Sequence, residues 1–337
     1  MKINRVVAVG VGLSVGFVVA YSLLFGVRFE DLASIGFTTL FAACILVFLR
    51  FVVQGLRFYL LTRALEVRGG VVSSVFARIS SEFVSLSTPS FVGGEAIRLA
   101  WLKARGADPA KALWIIFLEI YLDVVSTALV VYASTFYLIL YHRGEYMLAS
   151  LAALASTATT TLFTIIYLFS KKRVLCIPSW LQKVIRVILG ESRGGRVITS
   201  IDKSLLLYHN SATNTNTLFT YKRTIGILLC TALMILLSGA ITQLILGDAY
   251  DLRKLLLFTS GFHLTLAVSS LPITLGGSGI SELVLNHFTT NILGFSSWAK
   301  VIAWRIITYH IPLAISGLSL AVLSYKELVQ QKIKHTT

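Results

Sequence analysis

Charge is scarce in this chain. Only 13% of its 337 residues are Asp, Glu, Lys or Arg, against 56% hydrophobic, and the mean hydropathy is +0.81. A length that would suit two soluble domains therefore does not describe them. Cysteine is equally sparse. Cys44, Cys176 and Cys230 are odd in number, unclustered and mostly inside apolar runs, which excludes a disulfide framework and a cysteine-built metal site. Signatures of soluble enzymes are missing too: no phosphate-loop lysine motif, Cys-x-x-Cys, His-Glu-x-x-His or Gly-x-Ser-x-Gly, and no aspartate cluster of the kind that holds a sugar nucleotide. His263, His287 and His310 are too scattered for a metal site and are expected to pack or hydrogen-bond. No catalytic residue, metal or cofactor is expected. With no nucleotide site, any driving force would be a gradient or mass action.

What is present is a series of apolar runs, each near the roughly 20 helical residues that cross a ~30 Å hydrocarbon core. They predict an all-α, polytopic transmembrane bundle of about six full spans plus two re-entrant broken hairpins. The expected spans are 6–27, 33–56, 111–141, 147–169, 224–246 and 300–323. The run at 6–27 is too long for a signal peptide and has no small-x-small site before Arg28, so it reads as a span. One membrane domain over 1–337 is expected. Its first half is 33–141 with a hairpin at 71–102, its second half 224–323 with a hairpin at 255–295, and a basic loop, 171–223, joins them.

The net charge of +15 would suggest nucleic acid in a soluble protein. Here the basic residues fall in loops, so topology explains them and no nucleic-acid partner is expected. Most Lys and Arg, including Arg57, Arg63 and Arg68 after the second span, lie in segments assigned to the cytoplasm. Arg28, Arg143, Arg253, Lys254 and Lys300 lie outside, and Arg50, Arg78 and Arg305 fall within or near membrane segments. That asymmetry predicts a multi-pass cell-membrane protein with both termini cytoplasmic. The two hairpins then enter from opposite sides, an inverted repeat of the kind secondary transporters use. Val174–Leu189 alternates apolar residues with Lys183 and Arg186, which suits a helix lying on the anionic cytoplasmic leaflet. The Asn/Thr tract at 210–217 reads as a flexible connector.

Two breaks interrupt the apolar pattern. The first is Ser87-Thr88-Pro89-Ser90-Phe91-Val92-Gly93-Gly94-Glu95-Ala96-Ile97-Arg98. The second is Ser270-Leu271-Pro272-Ile273-Thr274-Leu275-Gly276-Gly277-Ser278-Gly279-Ile280-Ser281-Glu282. In each, Pro precedes Gly-Gly by the same spacing. Such glycines let the chain turn and leave N–H groups at a helix start, a setting suited to an anion. Arg98 and Arg305 can add bidentate contacts to a phosphate. Ionisable groups at this depth cost roughly 2.5–3.5 kcal/mol each on insertion scales, so they face a partner or a wet cavity. Glu95 and Arg98, Arg78 and Glu82, and Glu119 and Asp123 each share a helix face by spacing. The Arg78–Glu82 and Glu95–Arg98 pairs, and an ion-pair cluster of Glu119 and Asp123 with Arg305, also fit a purely structural role. The expected substrate-binding set is Arg98, Arg305, Glu95, Gly93, Gly94, Glu119, Asp123, Gly276, Gly277 and Glu282.

Both breaks, with Glu119-Ile120-Tyr121-Leu122-Asp123 and Arg305, resemble the lysylphosphatidylglycerol synthase transmembrane-region family of flippase-like membrane proteins. The resemblance runs over nearly the whole chain. It departs at Ile120, where the family commonly has Arg after the Glu, and no soluble aminoacyl-transferase domain is present, so synthase activity is not carried over. The resemblance implies translocation of an anionic phospholipid or polyprenyl-phosphate-type lipid between leaflets. The lipid phosphate would sit on Arg98 and Arg305, with the acidic residues balancing charge. It also implies membrane lipids as partners, with a homo-oligomer or a separate glycosyl- or aminoacyl-transferase as further partners. The rivals are a membrane-embedded transferase acting on a polyprenyl-phosphate lipid, with Glu119 and Asp123 as base or metal ligands, an accessory subunit to such a transferase, and a transporter of small organic anions.

Overall fold

The computed structural model describes residues 18–63, 69–88, 93–141, 146–172, 190–213, 220–247, 251–271 and 276–336, with single positions at 12, 15, 16, 67, 91, 178, 179, 182, 183, 186, 273 and 274. Positions 6–11, 13, 14 and 17 of the expected first span, most of 174–189, and Pro89, Pro272 and Cys176 lie outside the described residues. The described chain is helical, with no strand. After a short α1 (Phe29–Ala33) come α2 (Phe37–Arg63), α3 (Val71–Leu86), α4 (Gly94–Ala104), α5 (Pro109–Tyr141) and α6 (Tyr146–Lys172). Then follow α7 (Glu191–Thr213), α8 (Tyr221–Leu246), α9 (Leu252–Ser269), α10 (Ile280–Asn291) and α11 (Trp298–Arg305). A π-helical turn (Ile306–His310) leads into α12 (Ile311–Thr336).

Among the described residues five helices are long and apolar enough to cross a membrane: Phe37–Arg63, Pro109–Tyr141, Tyr146–Lys172, Tyr221–Leu246 and Trp298–Ser324. Their apolar side chains point outward as well as inward. Phe37, Leu129, Phe136, Leu154, Leu229 and Leu318 are exposed, while Ser80, Ser81, Thr242 and Ser316 are fully buried. A soluble bundle would reverse that order; a bundle solvated by lipid has no reason to hide Leu or Phe. The polytopic helical bundle expected from the sequence is what the chain forms.

α2 and α8 lie together at the centre, where Val47 and Phe51 pack with Ile241, Ile245, Phe258 and Trp304. A second apolar cluster joins α5 and α6 to α9 and α10 through Val131, Ala152, Leu264 and Phe288. α2 is longer than the expected 33–56. It runs unbroken to Arg63, so Arg57 is not part of a loop or basic end but is fully buried. α7 is a second departure. The connector expected from 210 is helical to Thr213, and Tyr208 meets the Trp114 ring edge-on at 5.3 Å while His209 Nδ1 lies 2.7 Å from the Ser170 carbonyl.

The sequence breaks are breaks in the helices. α3 ends at Ser87 and α4 restarts at Gly93, whose φ of 127° suits glycine. Phe91 between them has φ 57°, the only positive φ on a described non-glycine residue, and such backbone costs of order 1–3 kcal/mol unless its surroundings hold it. Those surroundings include the other break: a Cβ built on Gly277 would lie 3.5 Å from the Phe91 ring.

Candidate functional site

The two breaks meet tip to tip. The Gly276 N–H donates to the Thr88 carbonyl at 3.3 Å, and Tyr309 Oη donates to the Leu86 carbonyl at 2.8 Å. Gly276 has φ 57°, and a Cβ there would sit 2.5 Å from the Tyr309 ring and 2.7 Å from the Leu86 oxygen. The second glycine pair therefore serves close approach between the breaks rather than a helix start. α10 begins three residues later, capped by Gly279. Replacing Tyr309 with Phe removes the bond to the Leu86 carbonyl and keeps the ring that stacks under Arg305. A loss of about 0.5–1.5 kcal/mol is expected, read as a small drop in thermal midpoint in detergent with the protein still folded.

Each restarted helix carries its own anion. Glu95 Oε2 accepts from the Gly93 N–H at 2.6 Å while Oε1 pairs with Arg98 at 2.9 Å. In the second break Glu282 Oε2 accepts from the Gly279 N–H at 2.9 Å, and Oε1 lies 3.0 Å from Arg305 Nε. The N–H groups expected to await an outside anion are thus met by glutamate, a favourable placement at the positive end of a helix. Arg305 is held further by the Gly276 carbonyl (2.8 Å) and Ser278 Oγ (2.9 Å), and its guanidinium stacks 3.9 Å over the Tyr309 ring. The π-helical turn that follows Arg305 is a geometry frequently found at functional positions.

Glu119 links the first break to the long helices. It is completely buried on α5, with Oε2 2.7 Å from Arg98 Nη1 and Oε1 2.9 Å from Arg78 Nε, while Arg57 Nη2 lies 3.8 Å away. One turn on, Asp123 takes both terminal nitrogens of Arg57, at 2.6 and 2.8 Å. Arg78 also pairs with Glu82 at 2.7 Å, and Gln54 Nε2 donates to the same Glu82 oxygen at 2.8 Å. Glu95, Arg98, Glu119 and Asp123 thus belong to one network with Gly93, and Glu282, Arg305, Gly276 and Gly277 to a neighbouring one, joined through the tips; Gly94 instead packs against α3, where a Cβ would lie 2.5 Å from the Ser81 carbonyl. Sequence reasoning missed Arg57, Gln54 and Arg50. Their spacing of four and then three positions along α2 puts them on one face, the signal that could have found them.

A cavity of about 320 Å³ lies between these groups, lined by both halves of the chain: Arg50, Arg78, Glu82, Glu95, Arg98 and Asp123 from the first, His263, Trp304 and Arg305 from the second. It is small for a ligand site, near the lower end of the roughly 300–1,000 Å³ usual for one. Buried nitrogens remain without an acceptor along its charged wall, among them Nε of Arg50 and Arg98. Among the described residues no group of His, Cys, Asp and Glu is arranged to hold a metal ion.

Fold and site together define a multi-pass membrane protein whose ionisable residues are gathered around one interior cavity between two broken-helix pairs. The chain belongs to the lysylphosphatidylglycerol synthase TM region family, whose pattern matches residues 5–316. It is 27% identical over 277 residues to a UPF0104 membrane protein of Archaeoglobus fulgidus, covering 78% of this chain and 80% of that one. No solved structure matches it.

Proposed function

We propose that this protein is a lipid translocase, flippase- or scramblase-like, which passes the anionic headgroup of a phospholipid or polyprenyl-phosphate-type lipid through the interior cavity. The observation that carries this reading is a cavity lined by both signs of charge between the two breaks, inside a bundle that is apolar elsewhere. Charge is kept at such depth only where it is paired or faces water, and in transporters it marks the substrate path. The two broken pairs act as oppositely oriented repeats, as in many secondary transporters, and the cavity opens sideways to admit the headgroup while the chains stay in lipid. Glu95, at 28% side-chain exposure, is the more accessible carboxylate on Arg98. An incoming phosphate would displace it, leaving Glu119 to hold the arginine in place, while Arg305 with Glu282 supports the opposite wall. Both termini face the cytoplasm of the cell membrane, and the basic 171–223 segment rests on the anionic leaflet.

Neutralising the Glu95–Arg98 pair tests this: Glu119 loses its Arg98 contact but keeps Arg78 at 2.9 Å, so the variant's folding is checked by its thermal midpoint. The doubly neutral variant Glu95→Gln with Arg98→Gln is expected to lower leaflet exchange of a fluorescent anionic lipid by about tenfold or more. Wild-type exchange in folded variant protein would remove Arg98 and Glu95 from the path. A metal- or donor-dependent lipid product would favour the transferase instead.

A further inference from the structure

Arg57, Arg78, Arg98 and Arg305 are each held by a carboxylate, but Arg50 is not. It stands on α2, one turn before Gln54, on the cavity wall. No described carboxylate forms an ion pair with it, and its Nε is buried with no acceptor. The ring of Phe262 on α9 lies 5.8 Å from its guanidinium carbon, a contact that orients the head without neutralising it. Glu82 and Asp123 are the acidic groups near enough to be felt, and both are already engaged, by Arg78 and Arg57. A partly buried guanidinium with open hydrogen-bonding capacity, facing a cavity, is costly unless something anionic completes it.

We propose that Arg50 is the anion-receiving residue of this cavity, its planar fork taking two oxygens of a phosphate group. This rests on the translocase reading for the lipid as the source of that phosphate, whereas the anion site itself does not. On this assignment Arg50 makes the first contact with the headgroup, before the phosphate displaces Glu95 from Arg98. Substituting it strands no carboxylate, so the fold should tolerate the change.

The experiment measures binding to the purified full chain in a neutral detergent, using short-chain phosphatidic acid, the matching diacylglycerol and inorganic phosphate. Wild-type protein is expected to prefer phosphatidic acid over diacylglycerol by about tenfold or more. Arg50→Gln should erase that preference at an unchanged or raised melting temperature, and Arg50→Lys, which keeps the charge but not the fork, should keep part of it. No preference in wild type, or full preference in Arg50→Gln, overturns the assignment. Inorganic phosphate that binds as tightly as the lipid and competes with it supports the anion site and makes its ligand a soluble phosphate. Arg50-dependent binding without any leaflet exchange removes translocation and keeps the site. Undiminished exchange by Arg50→Gln removes the site and keeps translocation.

Discussion

Glu119→Gln is expected to cost the fold about 3–5 kcal/mol, the range for removing one member of a buried ion pair. Glutamine keeps the shape and one acceptor oxygen, so the loss reports charge. Of Arg78 and Arg98, which hold the two carboxylate oxygens at 2.9 and 2.7 Å, one keeps only a neutral amide oxygen and the other faces an amide N–H, inside a wall that water does not freely reach. Asp123 is taken by Arg57 and cannot move over to compensate. The measurement is the thermal midpoint in detergent, with helical circular dichroism as the check on folding. A midpoint equal to wild type would show that the network is not what holds α3, α4 and α5 together.

Gly276→Ala should be nearly as damaging for a different reason. Left-handed backbone costs a non-glycine residue about 1–2 kcal/mol, and overpacking adds about 1–3 kcal/mol. The new methyl would point at Tyr309 and at the Leu86 carbonyl, the two atoms that tie the breaks to each other. An expected loss of about 2–5 kcal/mol follows. Leaflet exchange should fall more than stability does, because the tips form one end of the cavity. Set beside the small effect of Tyr309→Phe, this separates backbone approach from the hydroxyl bond. Equal effects of the two substitutions would mean the approach is not tight.

How far the sequence could be read depended on the distance between partners. Glu95 and Arg98, or Glu119 and Asp123, are one turn apart, so spacing alone put them on common faces, and the breaks were legible from Gly-Gly and Pro. Arg57 was read as a basic helix end because charge counting treats an arginine after an apolar run as a loop marker. Its partner Asp123 lies 66 positions away and no local pattern announces it. Gly276 and Gly277 misled in the opposite way: they match Gly93 and Gly94 in sequence, but the restart in the second break falls to Gly279. The glutamates at the helix starts show the same limit. Motif spacing offered a donor site for an anion but could not say that the chain supplies that anion itself.

The most direct test of translocation is leaflet exchange of fluorescent phosphatidylglycerol, phosphatidylcholine and a polyprenyl phosphate in liposomes carrying the purified wild-type protein, with and without a pH gradient. Exchange well above that of protein-free liposomes is expected, faster for an anionic lipid than for the zwitterionic one. No acceleration for any of the three, with protein shown by circular dichroism to be folded, would contradict it.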